Sequence, residues 1–219
     1  MYMSSFVQPV FEAVLRGRQS VKNYDPSFQL QEEEILELLE LANRAPSAWN
    51  LQHWKFMIFT DPMARKKLLP IANGQRQIVD ASVIIAILGD LQAQLHAEEV
   101  YEPLVQSGVL SKENKRNIMN QIEQSYANAQ TAREEAIRNA SLAAMQLMTA
   151  AKAKGFDSGP MGGYDARGFM EAFQIPPRYI PVLLVAIGKA ASPAPYTDRF
   201  PIERKIIRNH YQTPGGTDS

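Results

Sequence analysis

The feature that most constrains this chain is an uninterrupted apolar run, Ser82–Leu88, with the sequence Ser-Val-Ile-Ile-Ala-Ile-Leu. A strand with one face in water alternates apolar and polar residues, whereas this run is apolar at consecutive positions and must be covered on both faces. Gly89-Asp90 ends it. The sequence therefore predicts a central β-strand that lies between two layers of other elements.

Two further segments have strand composition, and helices are assigned between them. Trp54–Thr60 and Pro181–Gly188 are rich in branched or aromatic residues. Helices are predicted at residues 6–16, 31–43, 63–71 and 136–153, with a short one near 169–173. The length fits a single domain over residues 1–219. We therefore expect an α+β fold in three α-β-α layers, with few strands and with helices on both faces.

The first helix and the longest helix both carry apolar faces. The face of the helix at residues 6–16 consists of Val7, Val10, Phe11 and Val14. The helix at 136–153 is apolar nearly all round, which is typical of a buried helix. Its many alanines would permit close packing against a second helix or a second subunit.

Residues 91–135 differ in composition from the rest of the chain. They are polar, have few large apolar side chains and show no strand pattern. Residues 112–135 favour a helix through propensity and charge rather than through burial. We interpret 91–135 as a mobile helical insertion that acts as a lid or as an arm that binds a partner.

The composition excludes several classes of function. Among the 219 residues, 23 are Lys or Arg and 23 are Asp or Glu, so no overall basic field favours nucleic acid or an anionic membrane. The chain has no cysteine and its three histidines lie far apart, which argues against thiol chemistry and a metal site. No apolar run reaches the roughly 18 residues that span a bilayer, and no signal peptide pattern is present. A cytoplasmic location is expected by default.

Three cations lie close together after the first helix, in the sequence Arg16-Gly-Arg-Gln-Ser-Val-Lys22. One interpretation is a basic turn exposed to solvent. The other is an anion site, because arginine supplies a fork of donors, serine a hydroxyl and lysine a point charge, a set that suits a phosphomonoester. The residues alone leave both interpretations open.

The connection Arg44–Phe56 joins a helix to the first strand and contains both tryptophans of the chain. Pro46 stops the helix before it, because the residue preceding a proline disfavours helical geometry. Three side chains in the connection can form hydrogen bonds to a flat polar ring: Ser47, Asn50 and Gln52. A polar and aromatic connection between rigid elements is a favourable place for a binding site.

Residues 155–165 form a glycine-rich stretch, Gly-Phe-Asp-Ser-Gly-Pro-Met-Gly-Gly-Tyr-Asp, which we predict to be a loop. It contains neither the dinucleotide fingerprint nor the phosphate-binding P-loop motif. Gly162 and Gly163 would still let backbone N–H groups approach a ligand closely.

Five stretches in this order resemble the FMN-dependent nitroreductase family. Arg18-Gln-Ser-Val-Lys22 is similar to the family's Arg-x-Ser-x-Arg/Lys, and Ala45-Pro-Ser-Ala-Trp-Asn-Leu-Gln-His-Trp54 to its Ala-Pro-Ser-x-x-Asn-x-Gln-Pro-Trp. Three more matches complete the set: Asp80-Ala-Ser before an apolar strand, Pro160-Met-Gly-Gly-Tyr-Asp165, and Arg199-Phe-Pro201. Each motif is weak alone, but five in order across nearly the whole chain are specific.

The resemblance implies a nitroreductase-like fold, with a mixed central sheet flanked by helices, in an obligate homodimer. FMN would be held without a covalent bond at the dimer interface, in a site built from both subunits. The residues expected to bind it are Arg18, Gln19, Ser20, Lys22 and Arg199 around the phosphate and ribityl chain, Pro46, Ser47, Ala48 and Asn50 from the other subunit, Gln75 and Gln77 at the pyrimidine edge, and Pro160, Met161, Gly162 and Gly163 of the glycine-rich stretch. The backbone N–H groups of Gly162 and Gly163 would lie near N5.

The resemblance also implies that NAD(P)H delivers hydride to flavin N5 and that a small-molecule acceptor then removes it in a ping-pong cycle. Nitroaromatics, quinones and similar flat electrophiles are the expected acceptors. No side chain is assigned a catalytic role and no metal is expected, because the flavin performs the chemistry. The alternatives are reductive dehalogenation, oxygen-dependent flavin breakdown, or a flavin-binding dimer without turnover.

Two positions depart from the family pattern. His53 replaces a proline before Trp54, and Gly74 falls where many members have an asparagine that contacts the flavin. Asn73, Gln75 and Gln77 are candidates to replace that contact. We interpret His53 as a surface or interface residue and Trp54 as an anchor of the first strand.

Overall fold

The computed structural model describes residues 7–195 and 197–211, and the side chains from residue 10 onwards. Its α-helices and strands, in chain order, are α1 (Val7–Gly17), α2 (Glu32–Ala42), β1 (Trp54–Phe59), α3 (Pro62–Ile71), α4 (Gln77–Asp80), β2 (Val83–Asp90), α5 (Ala97–Gln106), α6 (Lys112–Tyr126), α7 (Ala129–Ala153), β3 (Asp157–Met161), α8 (Ala166–Ala172) and β4 (Tyr179–Gly188). Short 3₁₀ helices cover Ala48–Asn50, Ala93–His96 and Ile202–Lys205. The predicted helices and the three predicted strands are all present, with boundaries shifted by at most three residues, except that the helix predicted at 136–153 begins at Ala129.

The four strands form one sheet in the order β1-β2-β4-β3, and all three strand pairs are antiparallel. The mixed character that we expected is confined, within residues 7–195 and 197–211, to an isolated parallel bridge between Ser20 and Ser158. β1 and β3 are therefore the two edges of the four-stranded sheet, and β2 and β4 are its centre.

The central strand β2 is covered on both faces, as its continuous apolar sequence predicted. Val83, Ile85 and Ile87 pack in a core cluster with residues of α2 and α7. The alternate residues of β2 belong to a second cluster with α3, α4 and α8. Because successive side chains of a strand point to opposite faces, these two clusters are the two sides of a three-layer sandwich.

Strand β3 was predicted as part of a loop, and that prediction is wrong for residues 157–161. Asp157 pairs with Gly188 and Met161 with Leu184, across a regular antiparallel ladder. Glycine and proline in the sequence concealed the strand, but proline is tolerated on an edge strand. Gly159 is required by packing, since a Cβ atom there would lie 2.2 Å from the carbonyl oxygen of Val21.

The insertion differs from our prediction in its boundary and in its packing. α7 runs without interruption from Ala129 to Ala153, capped at its start by the Asn128 side chain, which accepts hydrogen bonds from Gln130 N and Thr131 N. Burial contributes as well as propensity, because Ile122 is almost fully buried. It packs in a third cluster with Leu51 and two alanines. Among the described helices, none is long and apolar enough to cross a membrane.

Candidate functional site

The basic segment Arg18–Lys22 lies along the outer side of β3. Val21 N donates to Ser158 O at 3.1 Å, and Ser20 forms the isolated bridge to the same residue. Val21 is buried, whereas Gln19, Ser20 and Lys22 are exposed. In the described part of the chain neither Arg18 nor Lys22 has an ion-pair partner within 4 Å. These cations are available to an external anion.

The glycine turn after β3, which contains Gly162 and Gly163, is hydrogen-bonded to the turn before α4. Gly163 O accepts a hydrogen bond from Asn73 Nδ2 at 2.8 Å and another from Gln75 Nε2 at 3.1 Å. Gln75 Nε2 also donates to Ala72 O, so its amide group supports the backbone on both sides. The two segments that we expected at the flavin ring, 75–77 and 160–163, are thus brought together by direct hydrogen bonds.

Gln77 presents an unused acceptor in the same region. Its Nε2 donates to Gln75 Oε1 at 3.2 Å, while its Oε1 is buried and has no hydrogen-bond partner in the described residues. That oxygen lies 3.4 Å from the position that a Cβ atom of Gly159 would occupy. A buried acceptor without a partner is costly, so a ligand donor at this position would be favourable.

Residues 46–52 have an unusual backbone. Trp49, Asn50 and Gln52 have φ angles of 51°, 56° and 51°. These angles lie in the left-handed region of backbone conformation, which residues other than glycine rarely adopt. Each such residue costs on the order of 1–2 kcal/mol relative to the right-handed form. Ser47 Oγ accepts from Gln52 N at 2.9 Å and closes the turn. Strain of this kind persists where the surroundings hold it and clusters at functional sites.

The segment 46–52 also borders an open polar cleft of about 710 Å³. The side chains that line it are Glu40, Asn43, Arg44, Ala45, Asn50 and Gln52. Asn43 Oδ1 accepts a hydrogen bond from Trp54 Nε1 at 2.8 Å. Trp54 is buried in the core, which confirms it as an anchor of the first strand.

Three side chains from outside the segment bind its backbone. Asn139 Oδ1 of α7 accepts from Ala48 N at 2.9 Å, and Tyr101 of α5 donates its hydroxyl to Trp49 O at 3.0 Å. His96 Nδ1 lies 3.0 Å from Leu51 O. Sequence reasoning missed all three. The signal for Asn139 was a polar residue within a helix that is otherwise apolar, and the structure shows that this asparagine is buried.

The tautomer of His96 follows from its second contact. Its Nε2 lies 3.1 Å from Arg178 Nη2, and because a guanidinium group only donates, Nε2 accepts and Nδ1 carries the proton that reaches Leu51 O. Arg178 also forms a bidentate pair with the fully buried Asp90, at 2.8 and 2.6 Å. A continuous polar chain therefore links Asp90 to the backbone of the segment.

The interpretation of His53 as a surface or interface residue is wrong. Its side chain is fully buried and stacks on Tyr126 of α6, with ring centroids 6.2 Å apart. The insertion supplies that tyrosine, so the histidine that stands in place of the family's usual proline contacts an element whose role the sequence left open.

The expected cofactor residues fall into two sets on opposite edges of the sheet. Residues 18–22, 75–77 and 160–163 lie around β3, whereas residues 46–50 precede β1. Three strand spacings separate these edges, roughly 14 Å. Within residues 7–195 and 197–211 no hydrogen bond joins the two sets.

Arg199 is not brought to the other basic residues. It is exposed, and its Nη1 donates to Thr197 O at 3.0 Å and to Asp198 O at 3.2 Å, both in its own tail segment. The described hydrogen bonds include none from Arg199 to residues 18–22.

The comparisons with known proteins agree with the motifs. The protein-family sequence model described as "Nitroreductase family" matches residues 15–189 of this chain. The chain belongs to the nitroreductase family. YodC of Bacillus subtilis (strain 168) is provisionally named an NAD(P)H nitroreductase. It is 49% identical to this chain over 191 residues, which cover 87% of this chain and 95% of YodC. The resemblance stated from the five motifs is thereby confirmed.

Two other nitroreductase-like proteins bear on the site. The structure of a provisionally named nitroreductase from Exiguobacterium sibiricum 255-15, in complex with FMN, has a TM-score of 0.83 and 33% identity, covering 90% of this chain and 96% of that one. The CLA biosynthesis enone reductase of Lactiplantibacillus plantarum is 31% identical over 192 residues, covering 85% of this chain and 88% of the enzyme. The nitroreductase-like fold is confirmed, and an oxidoreductase is supported.

Proposed function

We propose that this chain is an FMN-dependent oxidoreductase that takes hydride from NAD(P)H and passes it, in a ping-pong cycle, to a nitroaromatic, a quinone or a similar electrophilic small molecule. The observation that carries the proposal lies around β3. Among the described residues, Arg18 and Lys22 have no ion-pair partner within 4 Å, and the nearby side-chain oxygen of Gln77 has no hydrogen-bond partner. A phosphate group and a ring with polar N–H groups would complement these features. The FMN complex of the E. sibiricum relative supports the choice of cofactor.

The residues around β3 have distinct roles in this proposal. Arg18, Ser20 and Lys22 bind the phosphate, and Gln77 accepts a hydrogen bond from the ring. Gln75 holds the glycine turn in place, because both of its amide hydrogens are engaged with Ala72 O and Gly163 O. FMN, when bound, supplies the two-electron chemistry. The backbone at Gly162 and Gly163 allows a close approach to its ring, since no atom of the described residues lies within 4 Å of a Cβ atom at either residue.

The second set of residues, 46–50, would reach the cofactor of another subunit. Exposed apolar residues of α1, α2 and α7 line a groove of about 560 Å³, which includes Phe11, Leu41, Pro46, Leu142 and Met145. We call this groove the α1–α7 surface. Exposed apolar patches rimmed by polar residues mark interaction sites. A homodimer formed through the α1–α7 surface would bury the groove and carry the adjoining residues 46–50 toward the partner subunit.

The test begins with the purified protein. Yellow colour with flavin absorbance, or uptake of added FMN, is expected first. NADH or NADPH added without oxygen should then bleach the flavin, and a nitroaromatic or a quinone should restore its colour. A protein that ignores FMN contradicts the proposal, and so does a yellow protein that neither nucleotide reduces. The two nucleotides and the two acceptors, compared side by side, rank the substrates.

A second candidate activity is the reduction of an activated carbon–carbon double bond. It is favoured by the enone reductase of L. plantarum, which this chain matches over most of its length. The same reduced protein, mixed with a conjugated enone in the absence of oxygen, distinguishes the two. Faster reoxidation by the enone than by the nitroaromatic and the quinone would make this the principal activity.

A further inference from the structure

The helical insertion is bound to the backbone of the segment 47–52 at two points. Tyr101 donates its hydroxyl to Trp49 O at 3.0 Å, and His96 donates from Nδ1 to Leu51 O at 3.0 Å. A third contact comes from α7, where Asn139 Oδ1 accepts from Ala48 N at 2.9 Å. Each contact is a hydrogen bond to a main-chain group that does not take part in the strand pairing of the sheet.

These contacts occur where the backbone most needs external support. Trp49, Asn50 and Gln52 are in the left-handed region, which a free chain of these residues leaves readily. The insertion also contributes an apolar backing, because Leu51 is fully buried with Ala97 and Ile122. A lid that opens and closes would have to break these hydrogen bonds and expose this cluster. The geometry is that of a fixed support.

We propose that Tyr101 is a positioning residue for flavin binding: it fixes Trp49 and thereby sets the orientation in which the next residue, Asn50, meets the cofactor. The insertion thus acts on the site from behind the segment 47–52 and does not act as a lid. This inference rests on the proposed function, since it presupposes that residues 46–50 contact FMN.

The chain offers a matched pair of tyrosines for the test. Tyr101 and Tyr126 both border the small cluster around Leu51. The Tyr126 hydroxyl has no hydrogen-bond partner in the described residues, whereas the Tyr101 hydroxyl binds Trp49 O. Tyr101→Phe therefore removes one hydrogen bond to the segment, and Tyr126→Phe removes a hydroxyl of the same kind without that bond.

The experiment measures the FMN dissociation constant of both variants by quenching of flavin fluorescence, and the urea midpoint of each apoprotein. We expect Tyr101→Phe to raise the FMN dissociation constant about three- to tenfold, the range for one hydrogen bond. Its apoprotein midpoint should fall as well, because the same hydrogen bond to Trp49 O is lost there. Tyr126→Phe, whose hydroxyl has no partner in the described residues, should neither weaken FMN binding nor lower the midpoint. At saturating FMN, the rate of flavin reduction should also fall in Tyr101→Phe alone.

Three results would overturn the inference. Equal FMN affinity in the two variants would show that the Trp49 contact does not affect the site. A rate of flavin reduction at saturating FMN that is equal in the two variants would assign Tyr101 a structural role only. A wild-type protein that binds no FMN would remove the proposed function itself, and that failure is seen before either variant is made.

Discussion

His53 stacks on Tyr126 with ring centroids 6.2 Å apart and an interplanar angle of 22°. Neither nitrogen of His53 nor the Tyr126 hydroxyl has a hydrogen-bond partner among the described residues. Burial lowers the pKa of His53 to about 4, although the negative charges of Glu135 and Asp90 act in the opposite direction. His53 is therefore neutral in the folded protein at pH 7, and the stack is one of two uncharged rings.

The first prediction is that the protein loses stability in mild acid because of His53. The unfolded chain binds a proton at this residue near pH 6.5, while the folded protein does so only near pH 4. As the pH falls between these values the unfolded state gains the proton first, so the free energy of unfolding decreases, by at most about 3 kcal/mol from this residue. Urea unfolding at intervals from pH 7.5 to pH 4 measures this slope.

The control for this prediction is His53→Phe, which keeps an aromatic ring on Tyr126 and cannot titrate. Its unfolding free energy should vary less between pH 6.5 and pH 4 than that of the wild type. Parallel curves for the two proteins would show that other groups, and not His53, produce the acid sensitivity.

A second prediction concerns the basic segment beside β3. Arg18→Ala should weaken FMN binding by about 1.5–3 kcal/mol, the range for a hydrogen bond to a charged group. Arg16→Ala is the matched control, because Arg16 is two residues away, largely exposed, and its ion pair with Glu12 at 3.9 Å is a weak surface pair. Fluorescence titration with FMN compares them. If both variants bind FMN as the wild type does, the phosphate lies elsewhere.

The core of the fold could be predicted from the sequence, and β3 could not. The sequence of β2 identifies it as a central strand, because a strand that is buried on both faces must be apolar at every position. The structure agrees, since it places Ile84 and Ile85 in opposite core clusters. β3 carries Gly159 and Pro160, which lower its strand propensity. Its strand state is imposed by its neighbours: β4 pairs with it on one side, and Val21 packs on Gly159 on the other.

Part of the candidate site could likewise be predicted from the sequence, and part of it could not. The motifs indicated residues 18–22 and 160–163, and the departure at Gly74 indicated Gln75 and Gln77 as candidates. The structure brings these segments together around β3. Sequence reasoning did not find the support of the segment 46–52, because Tyr101 and Asn139 lie far from it along the chain and neither belongs to a motif. The polar Asn139 in an apolar helix signalled a buried contact but not its partner. Contacts of this kind depend on how α5 and α7 pack, which no local pattern encodes.

A third prediction tests the contact that holds the basic segment against β3. Gly159→Ala places a Cβ atom 2.2 Å from Val21 O, so residues 18–22 must move away from the strand. We expect a loss of about 1–3 kcal/mol in the free energy of unfolding, the usual cost of overpacking, together with weaker FMN binding. Gly162→Ala is the stability control, since no atom in the part of the chain that the structure describes lies within 4 Å of a Cβ atom there. Equal urea midpoints for the two apoproteins would contradict the packing argument.

The fourth prediction tests the α1–α7 surface as the interface of a homodimer. Leu142 is 43% exposed in the isolated subunit and lines the groove beside Pro46. In a dimer Leu142→Glu would bury a carboxylate without a partner, at a cost of several kcal/mol, so the dimer dissociation constant should rise by at least about 100-fold. Light scattering at micromolar concentration should then give half the wild-type mass.

The matched control for the interface is Met63→Glu, on α3. Met63 is more exposed than Leu142, at 69%, and lies outside the groove. This variant should keep the wild-type mass and its FMN. The variant Leu142→Glu should lose FMN together with the dimer, because residues 46–50 would no longer reach the partner's cofactor. A monomeric Leu142→Glu protein that retains FMN at wild-type affinity would show that one subunit binds the cofactor unaided, and that residues 46–50 do not complete the site.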